Sequence, residues 1–249
     1  MTNNAVHAEP PIEAALFDLS GTTLDEGYIR HGVAAVADEI SRSWDLDPSA
    51  VESAFMPAFR SVSECFGSLP YYRMSDVVCD TLAKIITDGG GAASRRRLLD
   101  LEQLMWSAAI EHSTPAEGAI DTLSRLRRAG IRTGIVSYAD TPVFRGLLEH
   151  TGLAGLCDVE LCSEQARSCK PHPTIFLKAL AAVGTAPRQA MFVGDSVGAD
   201  IVGGNRVGMR TVLLRGREFT QHTNQTDREA QPTHCITHLV DTLGLITTN

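Results

Sequence analysis

Lysine is scarce in this 249-residue chain: Lys84, Lys170 and Lys178 stand against 19 arginines. A mechanism that needs a lysine therefore has few candidates. Positive charge is not in surplus either, with 22 Lys plus Arg against 30 Asp plus Glu, a net charge of −8. That balance argues against binding nucleic acid or an anionic membrane through bulk charge, and leaves room for a local basic pocket. Aromatic residues are few (eight Phe, four Tyr and two Trp), so no stacking platform for nucleobases is expected. No stretch approaches about 18 consecutive apolar residues, so no membrane span is expected. Met1–Pro11 holds no apolar leader and reads as a flexible tail. The six cysteines, Cys65, Cys79, Cys157, Cys162, Cys169 and Cys235, form no Cys-x-x-Cys pair. A chain of this size buries roughly 70–75% of its unfolded surface and needs no disulfide. Reduced cysteines acting as small apolar residues, in a cytoplasmic protein, are the expectation.

What is present is an alternation of strand and helix. Ile12–Phe17 is a short apolar run ending in Asp18, with a turn signal at Ser20-Gly21, and reads as a buried strand. From Tyr28 to His112 the rhythm is helical. Val33, Val36, Ala37 and Ile40 form one apolar stripe, and Val77, Val78, Leu82 and Ile85 another. Gly89-Gly90-Gly91 breaks the run, and Ser94 can cap the next helix. Beyond Thr114 the pattern predicts helices over Pro115–Ala129, Pro142–His150, Pro173–Val183 and Ala199–Val207. It predicts strands over Thr133–Val136, Val159–Cys162, Ala190–Val193 and Thr211–Leu214. Glu218–Gln231 reads as a polar loop and Ile236–Leu245 as a closing helix. The expected fold is α/β, a Rossmann-like parallel sheet with helices on both faces. Its core is 12–27 plus 113–249, split after the first strand by an inserted all-helical cap, 28–112. Ligands of parallel sheets bind at carboxyl ends of strands, so an insertion there covers the site.

Four features fall at such strand ends: Asp18 with Ser20-Gly21-Thr22; Ser137; Lys170-Pro171; and Gly194-Asp195 with Asp200. A carboxylate such as Asp18 can act as a covalent nucleophile. Three carboxylates converging on one crevice repel one another, and an oxygen-only set favours magnesium. Lys170 and Ser137 can hold oxygens that carry negative charge in a transition state. Glycines at 21 and 194 let the backbone turn sharply at the strand ends. Gly198, Gly203, Gly204 and Gly208 suit close packing better than phosphate binding.

In this order, and with an insertion after the first, these four features resemble the haloacid dehalogenase superfamily of hydrolases, over about Ala14–Leu245. The resemblance implies Asp18 as nucleophile and metal ligand, with the Ser20 carbonyl as a second ligand. Asp195 completes the magnesium site with Asp200, directly or through water. Ser137 and Lys170 then bind the phosphoryl group, with Gly21 and Thr22 of the same loop beside the substrate. The implied activity is a phosphomonoester phosphatase, working through an aspartyl-phosphate on a small phosphorylated metabolite, as a monomer or homodimer.

One departure matters. Family phosphatases usually carry Asp two residues after the nucleophile as general acid and base, and here Ser20 stands there. Losing such a group costs about 10²–10⁴ in rate, least where the leaving group needs no proton. Phosphonatase-like cleavage of P–C bonds through a cap Schiff-base lysine is an alternative, supported by the stretch Gly21–Asp25, but Lys84 is the sole cap lysine and sits deep in an amphipathic helix rather than early in the cap. A 2-haloacid dehalogenase is another, since those enzymes also lack the second Asp; they lack the paired acids as well. A non-catalytic binder retaining the fold is the alternative outside enzymes, and it would not need Asp18, Lys170 and Asp195 intact. In the cap, Arg30, His31, Arg60, Tyr71, Tyr72 and Arg73 are the candidates for substrate contact, and His172 lies beside Lys170. Arg95-Arg96-Arg97 reads as a solvated helix start.

Overall fold

The computed structural model describes residues 10–215 and 228–247. Its centre is a six-stranded sheet, every pairing parallel, built from β1 (Ala14–Phe17), β2 (Arg132–Ser137), β3 (Val159–Cys162), β4 (Ala190–Gly194), β5 (Arg210–Leu214) and β6 (His234–Ile236). The order is β3-β2-β1-β4-β5-β6. Side chains alternate between the two faces. Ala15 and Phe17 pack with Ile135, Met191 and Val193, while Ala14 and Leu16 pack with Val136, Ala190 and Phe192. Both faces are therefore buried, and β1 and β4 read as near-continuous apolar runs.

Four helices lie between β1 and the rest of the sheet: α1 (Tyr28–Trp44), α2 (Pro48–Phe66), α3 (Met74–Asp88) and α4 (Arg95–Glu111). Both apolar stripes of the sequence are buried in one cluster, which holds Val36, Ala37 and Ile40 of α1 and Val77, Val78 and Leu82 of α3. Ser94 caps α4, accepting from the Arg97 N–H at 3.2 Å. Of the arginines after it, Arg95 and Arg96 are exposed and Arg97 is half-buried. Arg95 crosses to Asp76 of α3 at 2.5 Å, and Arg97 pairs with Glu39 of α1.

After these come α5 (Ala119–Arg128), α6 (Thr141–Thr151), α7 (Ser163–Ala166), α8 (Pro173–Val183), α9 (Val202–Arg206) and α10 (Thr242–Thr247). Three expectations change. The helix foreseen over Pro115–Ala129 starts at Ala119, because 114–116 pair with the loop after β1: Asp25 donates to the Thr114 carbonyl and Ala116 to that of Thr23. The helix foreseen over Ala199–Val207 opens as a π-helical turn, Val197–Ile201. The closing segment holds β6 before α10, since His234–Ile236 pairs with Val212–Leu214. Most of the tail at 1–11 and of the polar loop at 218–231 lies outside the described residues.

The inserted helices are tied to the sheet by backbone groups. The N-cap position of α3, Arg73, offers no side-chain acceptor. Asp140, in the loop after β2, supplies it: its buried carboxylate accepts from the N–H groups of Met74 at 3.2 Å and Ser75 at 2.8 Å. The Cys169 N–H donates to the Pro70 carbonyl at 2.8 Å, one residue from Lys170. Asp140→Ala strands two N–H groups in a dry place, and unsatisfied buried donors cost about 1–3 kcal/mol each. The variant is expected to lower unfolding stability by about that amount, read as a reduced urea midpoint; an unchanged midpoint would show that water satisfies α3 instead.

Candidate active site

The chain runs from β1 to β2 and β3 on one side, then returns to β4 on the other, so the direction of winding reverses beside β1. Crevices of parallel sheets open at such a point. Asp18 sits there, its N–H donating to the Val193 carbonyl of β4 at 2.9 Å. The following loop folds back on itself. Thr23 and Leu24 donate to the Leu19 carbonyl at 2.9 and 2.7 Å, and the Thr23 hydroxyl donates to the Asp18 carbonyl at 2.9 Å.

Lys170 enters from the loop before α8 with a buried ammonium. It hydrogen-bonds Asp18 Oδ1, and Asp200 Oδ1 at 2.7 Å. Asp200 is wholly buried in the π-helical turn, which returns its second oxygen to the Ser196 N–H at 3.1 Å. Such turns bulge a helix and concentrate at functional sites. The residue that caps this turn is Ser196, whose hydroxyl accepts from the Ala199 N–H at 3.2 Å. Gly194 continues β4 rather than turning it, and its role is space: a Cβ there would collide with the Asp200 side chain. Gly21 does turn, with φ of +78°, and a Cβ there would stand 2.5 Å from Asp195 Oδ2. Gly203 and Gly204 pack closely, against Phe176 and Thr211, whereas a Cβ at Gly198 or Gly208 would meet nothing.

Oxygens of Asp18, Asp195 and Asp200 lie within 4.8 Å of one another. Burial raises the Asp18 carboxyl to about 6, with Lys170 opposing the rise and Asp200 adding to it. Burial and the like charges of Asp18 and Asp200 raise Asp195 to about 8. For Lys170, burial works against the charge, yet Asp18 and Asp200 hold the ammonium protonated above its ordinary range. Three carboxylates thus face one ammonium, an excess of two negative charges in a sparsely hydrated place. An all-oxygen donor set carrying that excess fits a hard divalent cation such as magnesium.

Above the carboxylates lies a cavity of about 350 Å³. Asp18, Ser20, Ser137, Lys170, Asp195 and Asp200 all line it. Gly21 and Thr22 are not among its lining residues; Thr22 is fully buried with its hydroxyl unpartnered. The foreseen cap contacts also fall elsewhere. Arg30, His31 and Arg60 are exposed, Tyr72 packs on Phe66 and Tyr138, and Arg73 faces Asp140 and Glu164. His172 caps α8, its Nδ1 taking the Thr174 N–H at 3.4 Å. The side formed by the inserted helices is lined instead by Ile29, Phe55, Met56, Phe59, Met74, Val78, Met105 and Trp106. Sequence reasoning also missed Tyr28, a buried residue whose hydroxyl lies 2.5 Å from Ser20 Oγ; burial pushes the phenol up to about 12. Its position as first residue of the first helix past the Asp18 loop was the available signal.

The haloacid dehalogenase-like hydrolase family model matches residues 12–208. The chain belongs to this family. Among curated relatives of this hydrolase, the ribulose-1,5-bisphosphate 5-phosphatase of Halopiger xanaduensis is 34% identical over 94% of this chain and 97% of its own. Human N-acylneuraminate-9-phosphatase is 25% identical over 81% and 82%. In fold, the hydrolase resembles magnesium-bound YfnB of Bacillus subtilis (TM-score 0.76, 19% identity, 96% and 100% covered). It also resembles the L-2-haloacid dehalogenase of Xanthobacter autotrophicus (0.70, 19%, 95% and 99%). Among the described residues no helix is long and apolar enough to cross a membrane.

The raised carboxyls give a signed pH prediction. Groups whose folded pKa is raised stabilise the fold at low pH and lose that contribution as pH rises through the folded value. Metal-free protein is expected to lose this stability between about pH 4 and 8, and magnesium to restore it. Magnesium held by these carboxylates would have to displace protons from Asp18 and Asp195, so its affinity is expected to rise over the same range. Melting curves across pH, with and without magnesium, read both effects. Asp195→Asn should flatten the metal-free pH trend and the magnesium response; a magnesium shift independent of pH and of Asp195 would move the metal elsewhere.

Proposed function

We propose that this hydrolase is a magnesium-dependent phosphatase of small phosphomonoesters. The carrying observation is the set of three carboxylates around one buried ammonium on the floor of a cavity. The names of the relatives support it, each a phosphatase of a phosphorylated small molecule. In this reading the helices over 28–112 are a cap over the site.

Asp18 attacks phosphorus in line, the ester P–O bond breaks, and an aspartyl-phosphate forms. Water then attacks the acyl-phosphate and regenerates the carboxylate. Lys170 and Ser137 hold the phosphoryl oxygens as negative charge spreads over them, which is where phosphoryl transfer is most readily assisted. Asp18, the Ser20 carbonyl and Asp195 would hold magnesium, whose charge would offset the carboxylates and polarise the phosphoryl group. Asp200 already accepts from Lys170 with one oxygen and from Ser196 with the other, which suits a contact through water. The leaving oxygen draws its proton from water or from the Ser20–Tyr28 hydroxyl pair, both weak acids. Good leaving groups are therefore favoured. All six cysteines are free, in keeping with a reducing, cytoplasmic setting.

Dehalogenation is the second reading, favoured by Ser20 and the apolar wall. Against it stand Asp195 and Asp200, a pair of acids beside Asp18 that suits a metal-dependent reaction and that the dehalogenases lack. A Schiff-base phosphonatase lacks its lysine: Lys84 lies on the outer side of α3, 3.0 Å from Asp88, away from the cavity.

Asp18→Asn should reduce magnesium-dependent phosphate release from p-nitrophenyl phosphate to background. Retained turnover removes Asp18 as nucleophile, and halide release from 2-haloacids without metal would replace the phosphatase reading. Ser20→Asp is expected to accelerate hydrolysis of alkyl phosphates by about 10²–10⁴ by restoring a general acid. A sharp fall would place Ser20 in different chemistry.

A further inference from the structure

We infer that the leaving-group seat of this cavity selects an apolar alcohol, so that the substrate is a monophosphate of an alkyl or aryl alcohol with no second anionic group. The inference rests on the phosphatase reading above.

Its basis is the division of the cavity into two halves. Every charged group among the described lining residues belongs to the floor, and Lys170 is the single cation there. That cation is already engaged by Asp18 and Asp200. The opposite wall is Phe55, Phe59, Met74, Val78, Met105 and Trp106, drawn from three helices. A second phosphate or a carboxylate on the leaving group would need an arginine or lysine on this wall, because an unpaired buried charge is costly. The cap arginines are turned away: Arg30 and Arg60 are exposed, and Arg73 lies 4.0 and 3.9 Å from Asp140 and Glu164. A polyol would fare little better. Its hydroxyls would leave water for thioether, aliphatic and aromatic surface on which the Trp106 indole N–H, buried without a partner, is the one hydrogen-bonding group of these six side chains. The cavity volume, about 350 Å³, is near the lower end of ligand sites and limits the alcohol to a compact one.

This sets the chain apart from a relative that is 34% identical and whose name specifies a bisphosphate. The two share the family's phosphoryl chemistry, while the wall facing the rest of the substrate is a separate surface free to differ.

The test is calorimetric titration of the magnesium-loaded full chain with n-alkylphosphonates from methyl to hexyl. Affinity should rise about fourfold per methylene, the equivalent of about 0.8 kcal/mol, until the wall is filled. Ribulose 1,5-bisphosphate and glycerol phosphate should bind no more tightly than methylphosphonate. A flat alkyl series, or tighter binding of the bisphosphate, overturns the inference. Phosphate release from the matching alkyl and aryl monophosphates is scored separately. A rising binding series without any release supports the apolar seat and defeats the phosphatase reading. A flat series with release does the reverse. Met56 lines the rim and is 45% exposed, so Met56→Arg adds a cation with little risk to folding. That variant should improve bisphosphate binding at least about tenfold; unchanged selectivity also counts against the inference.

Discussion

The rest of the site depends on one buried contact, the Lys170 ammonium between Asp18 and Asp200. Burying a charge costs several kcal/mol unless a partner and further hydrogen bonds compensate it. Here the partners come from three separate parts of the chain, so the contact is satisfied only when β1, β4 and the loop before α8 are all in place. The surrounding oddities follow from it. Gly194 is a glycine because the Asp200 side chain occupies the space of its Cβ. The π-helical turn widens the backbone so that Asp200 reaches both Lys170 and the Ser196 N–H. Gly21 takes a left-handed conformation so that the loop after β1 clears Asp195.

That contact leaves the carboxylates only partly neutralised, and the remaining charge is what gives the floor its function. Electrostatic interactions strengthen as water is excluded. The apolar wall supplied by the inserted helices therefore does more than seat a ligand. In the proposed reaction it would lower the local dielectric above Asp18, where charge moves during phosphoryl transfer. Ser20 fits the same scheme: a hydroxyl held by Tyr28 adds no fourth carboxylate to a floor already in excess.

The floor was legible in the sequence and the wall was not. Asp18, Ser137 and Asp195 lie at strand ends, Lys170 comes after β3 and the short α7, and parallel topology brings strand ends together whatever lies between them. The buried stripes of α1 and α3 were equally plain, since burial on a helix leaves a 3.6-residue period. The cap contacts failed for a physical reason. Residue type suggested Arg30, Arg60 and Arg73, but the direction a helical side chain takes is settled by packing. Phe55 and Phe59, spaced like ordinary core residues and stacked on one another, turned out to line the cavity. The π-helical turn left no mark in composition, and β6 is only three residues long, too short for periodicity to show.

Asp140 has a consequence for how the molecule assembles. Helix α3 begins 66 residues before the carboxylate that satisfies its first N–H groups. A helix normally carries its own cap, or borrows one from the adjoining turn. Here the first turn of a peripheral helix is completed by the core loop directly after β2. Residues 28–112 in isolation would therefore possess a packed apolar interior and an unfinished helix end. The two parts of the chain are thermodynamically linked: the inserted helices reach full hydrogen-bonded order only where the sheet has already formed.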